Sequence, residues 1–166
     1  MMATPAAPLT ILVTTYNRRP ELWRLLRYAV ARHMPYPIDV LDSSSQPLER
    51  PALRELLAGP GIAHRIYDPA TPPMEKIRQG LTHVETPYTV LWADDDFLVP
   101  GSLRESVRLL EAHAELSAVH GRSALFCWEA IDGQRELGCQ PYFQRAFTQQ
   151  TAAQRLLDYL GHQCVL

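Results

Sequence analysis

Short apolar runs alternate with segments of helical spacing along most of this chain, and that alternation restricts the fold more than any single motif. Leu9 to Thr15 is apolar and β-branched and reads as a buried strand. Asn17-Arg18-Arg19-Pro20 breaks it, with Pro20 suited to a first helical position and Glu21 to the positive end of a helix. Leu22, Leu25, Leu26, Ala29 and Val30 follow at helical spacing, and Pro35 and Pro37 close that segment. Ile38 to Leu41 reads as a second strand ending at Asp42, followed by a loop from Ser43 to Pro47. Leu53, Leu56 and Leu57 mark a short helix stopped by Gly59-Pro60-Gly61. Ile62 to Tyr67 is a third strand, and Met74 to Val84 a third helix with Ile77, Leu81 and Val84 on one face. Tyr88 to Trp92 is a fourth strand that runs into Asp94-Asp95-Asp96. Ser102-x-x-Glu105 reads as a capping box ahead of Leu103, Val107, Leu110 and Ala114. Ala118 to Trp128 contains a fifth strand, Asp132-Gly133 a turn, and Thr151 to Leu160 a last helix.

Strands alternating with helices predict a parallel sheet wrapped by helices. In such sheets ligands bind beyond the carboxyl ends of the strands. Three candidate segments lie at those ends, Thr14 to Arg18, Asp42 to Ser45 and Asp94 to Asp96, and the architecture gathers them on one rim. A chain of 166 residues suits one domain with a sizeable core. The net charge of −2 comes without a basic stripe, which argues against a nucleic-acid partner. Cys127, Cys139 and Cys164 form no C-x-x-C pair, and reduced thiols in a cytoplasmic protein are the simplest expectation. The tail before Leu9 lacks the pattern of a signal peptide, and no apolar stretch approaches the roughly 20 residues of a spanning helix. Peripheral contact with the inner face of a membrane is compatible with this.

Three adjacent carboxylates repel one another, and a divalent cation with a taste for hard oxygen ligands relieves that repulsion. Asp94, Asp95 and Asp96 therefore predict a Mg²⁺ or Mn²⁺ site, with a nucleotide diphosphate as the natural companion ligand. The plainer alternative is a solvated loop whose aspartate caps the next helix. Asn17 could likewise cap the first helix, and Asp42 could open an Asx-turn with Ser44. Lys76, the only lysine, and Arg78 are two residues apart and point to different faces of their helix, so that one can reach phosphate. Arg122 is placed to face substrate from the fifth strand. His83 and His120 show no metal-ligand spacing. No P-loop, dinucleotide fingerprint or nucleophile elbow is present. Cys127 reads as core, and the aromatics Phe126, Trp128, Tyr142, Phe143 and Phe147 as core, with an acceptor platform the alternative.

The stretch from Gly80-Leu81 through Thr86-Pro87-Tyr88-Thr89-Val90-Leu91-Trp92-Ala93-Asp94-Asp95-Asp96, with Pro100 after it, resembles the family 2 glycosyltransferases of GT-A fold. Thr10 to Tyr16 with Asn17-Arg18 resembles their opening strand, and Asp42-Ser43-Ser44-Ser45 sits where they carry an acidic residue followed by small ones. The resemblance covers roughly residues 9 to 122 and implies a Rossmann-like three-layer α/β sandwich with a mostly parallel central sheet. It divides the chain into a tail (1–8), a nucleotide-sugar-binding core (9–122) and the start of an acceptor-side region of the same domain (123–166). It implies transfer, with inversion, of a sugar from a nucleotide-diphosphate donor to a hydroxyl of a glycan, lipid-linked sugar or protein. Thr14, Thr15, Tyr16, Asn17, Arg18 and Asp42 would line the base and ribose pocket. Asp95 would coordinate the metal, Asp94 would face the ribose or assist the metal, and Asp96 would support the site. Ala93 stands where many members carry the first aspartate of an Asp-x-Asp-type motif. The family's general base would fall beyond Leu166, which predicts a truncated chain that binds nucleotide better than it transfers. A non-catalytic binding module and a receiver-type signalling domain are the alternatives. The receiver needs a lysine at a late strand end, whereas Lys76 precedes the triplet.

Overall fold

The computed structural model describes residues 7–131, 134–143, 149–151, 153–155 and 157–158. The chain divides into two compact units, Met1–Val119 and His120–Leu166. The first holds β1 (Leu9–Thr15), α1 (Arg19–Ala31), β2 (Ile38–Asp42), α2 (Pro51–Leu57), β3 (Ile62–Ile66), α3 (Pro73–Leu81), β4 (Tyr88–Ala93) and α4 (Pro100–Ala112). The four strands form a sheet in the order β3-β2-β1-β4, parallel at every pairing. Parallel neighbours need a long crossover, and each helix between strands supplies one. β1 and β2 are central and buried on both faces, which their near-continuous apolar runs anticipate.

One face of the sheet carries Leu9, Ile11, Val13, Ile38 and Val40, which share a core with Leu22, Leu25, Leu26 and Ala29 of α1. Leu53 and Leu57 of α2, Leu103 and Val107 of α4, and Trp92 complete that core. The opposite face meets α3. Its inner side is not the apolar face of Ile77, Leu81 and Val84: Lys76 and Gly80 are buried, while Leu81 is exposed and Ile77 and Val84 are only half-buried. Close approach decides this. A Cβ on Gly80 would lie 2.6 Å from Leu41 Cδ1, so only the smallest residue lets α3 sit this near β2. Apolar periodicity cannot reveal a face made of a glycine and a lysine.

The helix ends also depart from expectation. α1 has Arg18 as its N-cap residue and no side-chain cap, so Asn17 does not cap it. The helix closes on His33, whose φ of 50° is left-handed. Its N–H donates to the Val30 carbonyl (3.1 Å), and that of Met34 to the Ala29 carbonyl (2.9 Å), the paired bonds of a Schellman motif ahead of Pro35. α4 begins at Pro100, two residues before Ser102, with Val99 as N-cap residue and no side-chain cap. Pro100 fixes the first helical position, and Glu105 pairs with Arg108 (2.7 Å) instead of closing a capping box.

The second unit contains an antiparallel ribbon of β5 (Ser123–Ile131) and β6 (Gln134–Phe143), with Ile131 opposite Gln134. β6 is not legible in the sequence, because Gly138 and Pro141 both weaken a strand reading. Phe126 and Cys127 are exposed, not core. Side chains of Trp128, Tyr142 and Phe143 are not described, and Asp132, Gly133, Phe147 and Cys164 lie outside the described residues. Residues 153–155 and 157–158 are helical; the rest of the last predicted helix lies outside the described residues. Among the described residues no helix is long and apolar enough to cross a membrane.

Two measurements check this packing. Gly80→Val should lower stability by about 1–3 kcal/mol in urea unfolding, because β2 is already in contact. His33→Gly should raise it by about 0.5–1 kcal/mol, because glycine adopts the left-handed cap without the steric cost a β-carbon carries.

Candidate functional site

The parallel register places Thr15 beside Asp42 and Thr14 beside Ala93, so the three carboxyl-end segments meet on one rim. Their polar groups interlock around Thr15. The Thr15 hydroxyl donates to Asp94 Oδ2 (2.8 Å), and the Thr15 carbonyl accepts from Lys76 Nζ (2.8 Å) and from the Ser43 N–H (3.2 Å). Lys76 is 2% exposed and Asp94 4%. Burial pushes the Lys76 ammonium below its usual pKa, and the negative charges of Asp42 and Asp94 pull it back. Burial raises Asp94 above the ordinary carboxylate range, against the Thr15 hydrogen bond and the Arg18 charge, which lower it. Lys76 is thus a buried support beneath the rim. Arg78, on another face of α3, is exposed and pairs with Glu75 (2.7 Å).

Asp42 is the most heavily bonded carboxylate of the rim. Its Oδ1 accepts the Ser44 N–H (2.8 Å), the Asx-turn geometry, while Oδ2 meets Arg19 Nη1 and His64 Nε2 (3.0 Å). Burial alone would raise its pKa, but the hydrogen bonds from His64, Ser44 and Arg19 outweigh it and hold the group well below the usual range. Asn17, at a φ of 54°, ties the first loop to the second. Its Oδ1 accepts the N–H groups of Ser45 (3.0 Å) and Gln46 (3.2 Å), and its own N–H donates to Ser44 Oγ (2.8 Å). Tyr16 is exposed at the rim and Thr14 half-buried.

The aspartate triplet does not act as three equivalent ligands. Arg18 Nη1 lies 3.1 Å from Asp94 Oδ1, and Nη2 lies 3.0 Å from Asp95 Oδ2. Two carboxylate oxygens therefore converge on one cation, the guanidinium. Asp96 is exposed and contributes through its backbone: its N–H donates to the Ala93 carbonyl (3.1 Å) and its carbonyl accepts from Trp92 Nε1 (3.1 Å). Among the described residues, no group of three or more histidine, cysteine or acidic side chains is gathered to hold a metal. Adjacent residues in a turn send their side chains in different directions, and here Asp94 and Asp95 face Arg18 while Asp96 is exposed. The convergence of Asp94 and Asp95 still fits the chemistry of Mg²⁺ or Mn²⁺, which take one or two carboxylates alongside phosphate.

The turn itself is held by α1, a feature the sequence reading missed. Arg24 Nη2 donates to the Asp95 carbonyl (3.3 Å) and its guanidinium lies over Phe97 (5.5 Å). Tyr28 donates to the Leu98 carbonyl (2.9 Å) and packs edge-on against Trp92 and Phe97. The signal was present: Arg24 and Tyr28 are four apart and share a helix face. A groove of about 390 Å³ opens at the opposite, amino end of the strands, lined in part by Thr10, Asp39, Arg65 and Glu85. Arg65 pairs with Asp39 there (2.7 Å), and no rim residue reaches it. Arg122 is exposed just before β5, in the second unit.

Comparison with curated proteins finds no match. Among solved structures, the crystal structure of S. aureus TarS 1–349 is similar, with a TM-score of 0.52 and 14% identity. The likeness covers 65% of this chain and 33% of that one, so the chain spans about one third of the TarS structure's length. At that identity the likeness speaks to the fold, a GT-A, Rossmann-like α/β arrangement. The description of glycosyl transferase family 2 matches residues 10–164, which takes in both units. With nearly the whole sequence inside that match, the chain belongs to glycosyl transferase family 2.

Proposed function

We propose that this rim binds a nucleotide-diphosphate sugar and that the chain serves glycosyl transfer to an acceptor hydroxyl. The observation that carries this reading is the convergence of Asp94 Oδ1 and Asp95 Oδ2 on one cation at 3.1 and 3.0 Å, at the carboxyl end of a parallel sheet. In the proposed reaction the acceptor oxygen bonds to the anomeric carbon as the bond to the diphosphate oxygen breaks. The sugar inverts, and a carboxylate base takes the acceptor proton.

Asp95 and Asp94 would hold a Mn²⁺ or Mg²⁺, with Asp95 the more accessible of the two. When bound, that ion supplies charge neutralisation for the departing diphosphate. The chain's own residues do the rest. Thr15 fixes the Asp94 carboxylate through its hydroxyl. Arg24 and Tyr28 pin the Asp95 and Leu98 carbonyls, so the turn keeps its shape without a ligand. Tyr16 and Thr14 line the rim where a base and ribose would lie, and Asn17 holds the facing Ser44–Gln46 loop in register. Asp42 borders the base pocket by orienting Arg19 and Ser44, because its oxygens already have three donors. Lys76 supports the pocket from below. We place this activity in the cytoplasm, with peripheral contact at the inner membrane face as the route to a lipid-linked acceptor.

Titration calorimetry with UDP-, GDP- and dTDP-sugars, with and without Mn²⁺, tests the reading. One nucleotide should bind, more tightly with Mn²⁺, and Asp95→Asn should remove the metal-dependent gain while circular dichroism stays unchanged. No nucleotide binding under either condition would overturn it. Lys76→Met should lower stability by about 1–3 kcal/mol in urea unfolding, because it strips the Thr15 carbonyl of a buried donor. An unchanged midpoint would show that Lys76 is not the support assigned to it.

A further inference from the structure

We propose that Arg18 is a built-in counter-ion that occupies the cation position of the rim, and that a divalent metal must displace it. This rests on the metal reading above. The guanidinium spends one nitrogen on each carboxylate, Nη1 on Asp94 and Nη2 on Asp95. It therefore sits where the two oxygens converge. A monovalent guanidinium and a divalent ion cannot share that point, because they repel each other and need the same lone pairs.

The two ends of the bridge differ in how firmly they are held. Asp94 is buried and fixed by the Thr15 hydroxyl. The Arg18 side chain is 44% exposed and that of Asp95 50%. An exposed pair of this kind is worth little, so the arginine leaves at small cost. Arg18 is also the N-cap residue of α1, where a positive charge faces the positive end of the helix dipole. Asp95 and Asp94 favour its present position, with a smaller contribution from the Glu21 charge. Its neighbour Arg19 contrasts with it. That side chain is 19% exposed, bonded to Asp42 and to the Gln46 carbonyl (2.8 Å), and stays in place.

The arrangement keeps the two carboxylates neutralised until a metal arrives. The displaced guanidinium remains on the same rim, with a planar fork suited to phosphate oxygens. Metal arrival and phosphate capture are thereby linked through one side chain.

Mn²⁺ binding to the full chain, read by the loss of the free-ion electron paramagnetic resonance signal, tests this without nucleotide or turnover. Arg18→Met should bind Mn²⁺ about fivefold more tightly than the wild type, the scale of one exposed ion pair removed. Arg18→Lys, which keeps the charge but cannot bridge both carboxylates with a planar fork, should fall between them. Arg18→Gln reads the same difference should Arg18→Met fail to fold. Equal or weaker Mn²⁺ binding in the folded charge-removal variant overturns the displacement while leaving the metal reading intact. No Mn²⁺ binding by either wild type or variant overturns both.

Discussion

The carbonyl oxygen of Thr15 is the point on which this site depends. It ends β1, and it accepts from both the Lys76 ammonium and the Ser43 N–H. Through the same residue's hydroxyl, β1 holds Asp94 at the end of β4. One residue thus joins β1, the loop after β2, α3 and the turn after β4. Carbonyls at the carboxyl edge of a parallel sheet have no next strand residue to bond, and a buried one needs a donor. A lysine reaching up from α3 meets that need, and Gly80, one turn further along, lets α3 come close enough for it to reach.

Around this point the charges sort by depth. Lys76, Asp42 and Asp94 are buried, and the charges of the two carboxylates offset part of the cost of burying the ammonium. Arg18 and Asp95 lie outward, half-exposed, and can rearrange against solvent. The fold therefore separates a fixed electrostatic floor from an adjustable upper layer, joined through Asp94, which belongs to both. α1 serves both layers. Its apolar side fills the core, while Arg24 and Tyr28 clasp the carbonyls of the aspartate turn.

Much of this was legible in the sequence. Apolar runs located the four parallel strands, and their alternation with helices placed Thr14–Arg18, Asp42–Ser45 and Asp94–Asp96 on one edge. What escaped depends on three-dimensional contact. The inner face of α3 is set by a glycine's proximity to Leu41, which no hydropathy pattern encodes. The three aspartates stand in a row, yet a turn buries Asp94, leaves Asp95 and Asp96 exposed, and sets Arg18 against the first two. Asn17 has the chemistry of a helix cap, but its left-handed backbone directs its side chain to the Ser44–Gln46 loop. The β5–β6 ribbon hides because Gly138 and Pro141 interrupt the pattern a strand should show.

The burial of Lys76 has an effect on the outside of the molecule as well. Since it is the chain's sole lysine, the surface shows no side-chain amine at all. Every permanent positive charge presented to solvent is a guanidinium, weakly hydrated and flat, with a taste for carboxylate pairs and aromatic faces. Trp23 illustrates the habit, with Arg27 and Arg50 lying over its ring at 4.5 and 4.6 Å. Lysine is the side chain that acetylation and ubiquitin attachment target. The sole lysine Nζ is buried beneath the rim, so lysine-directed reagents meet no exposed target while the protein remains folded.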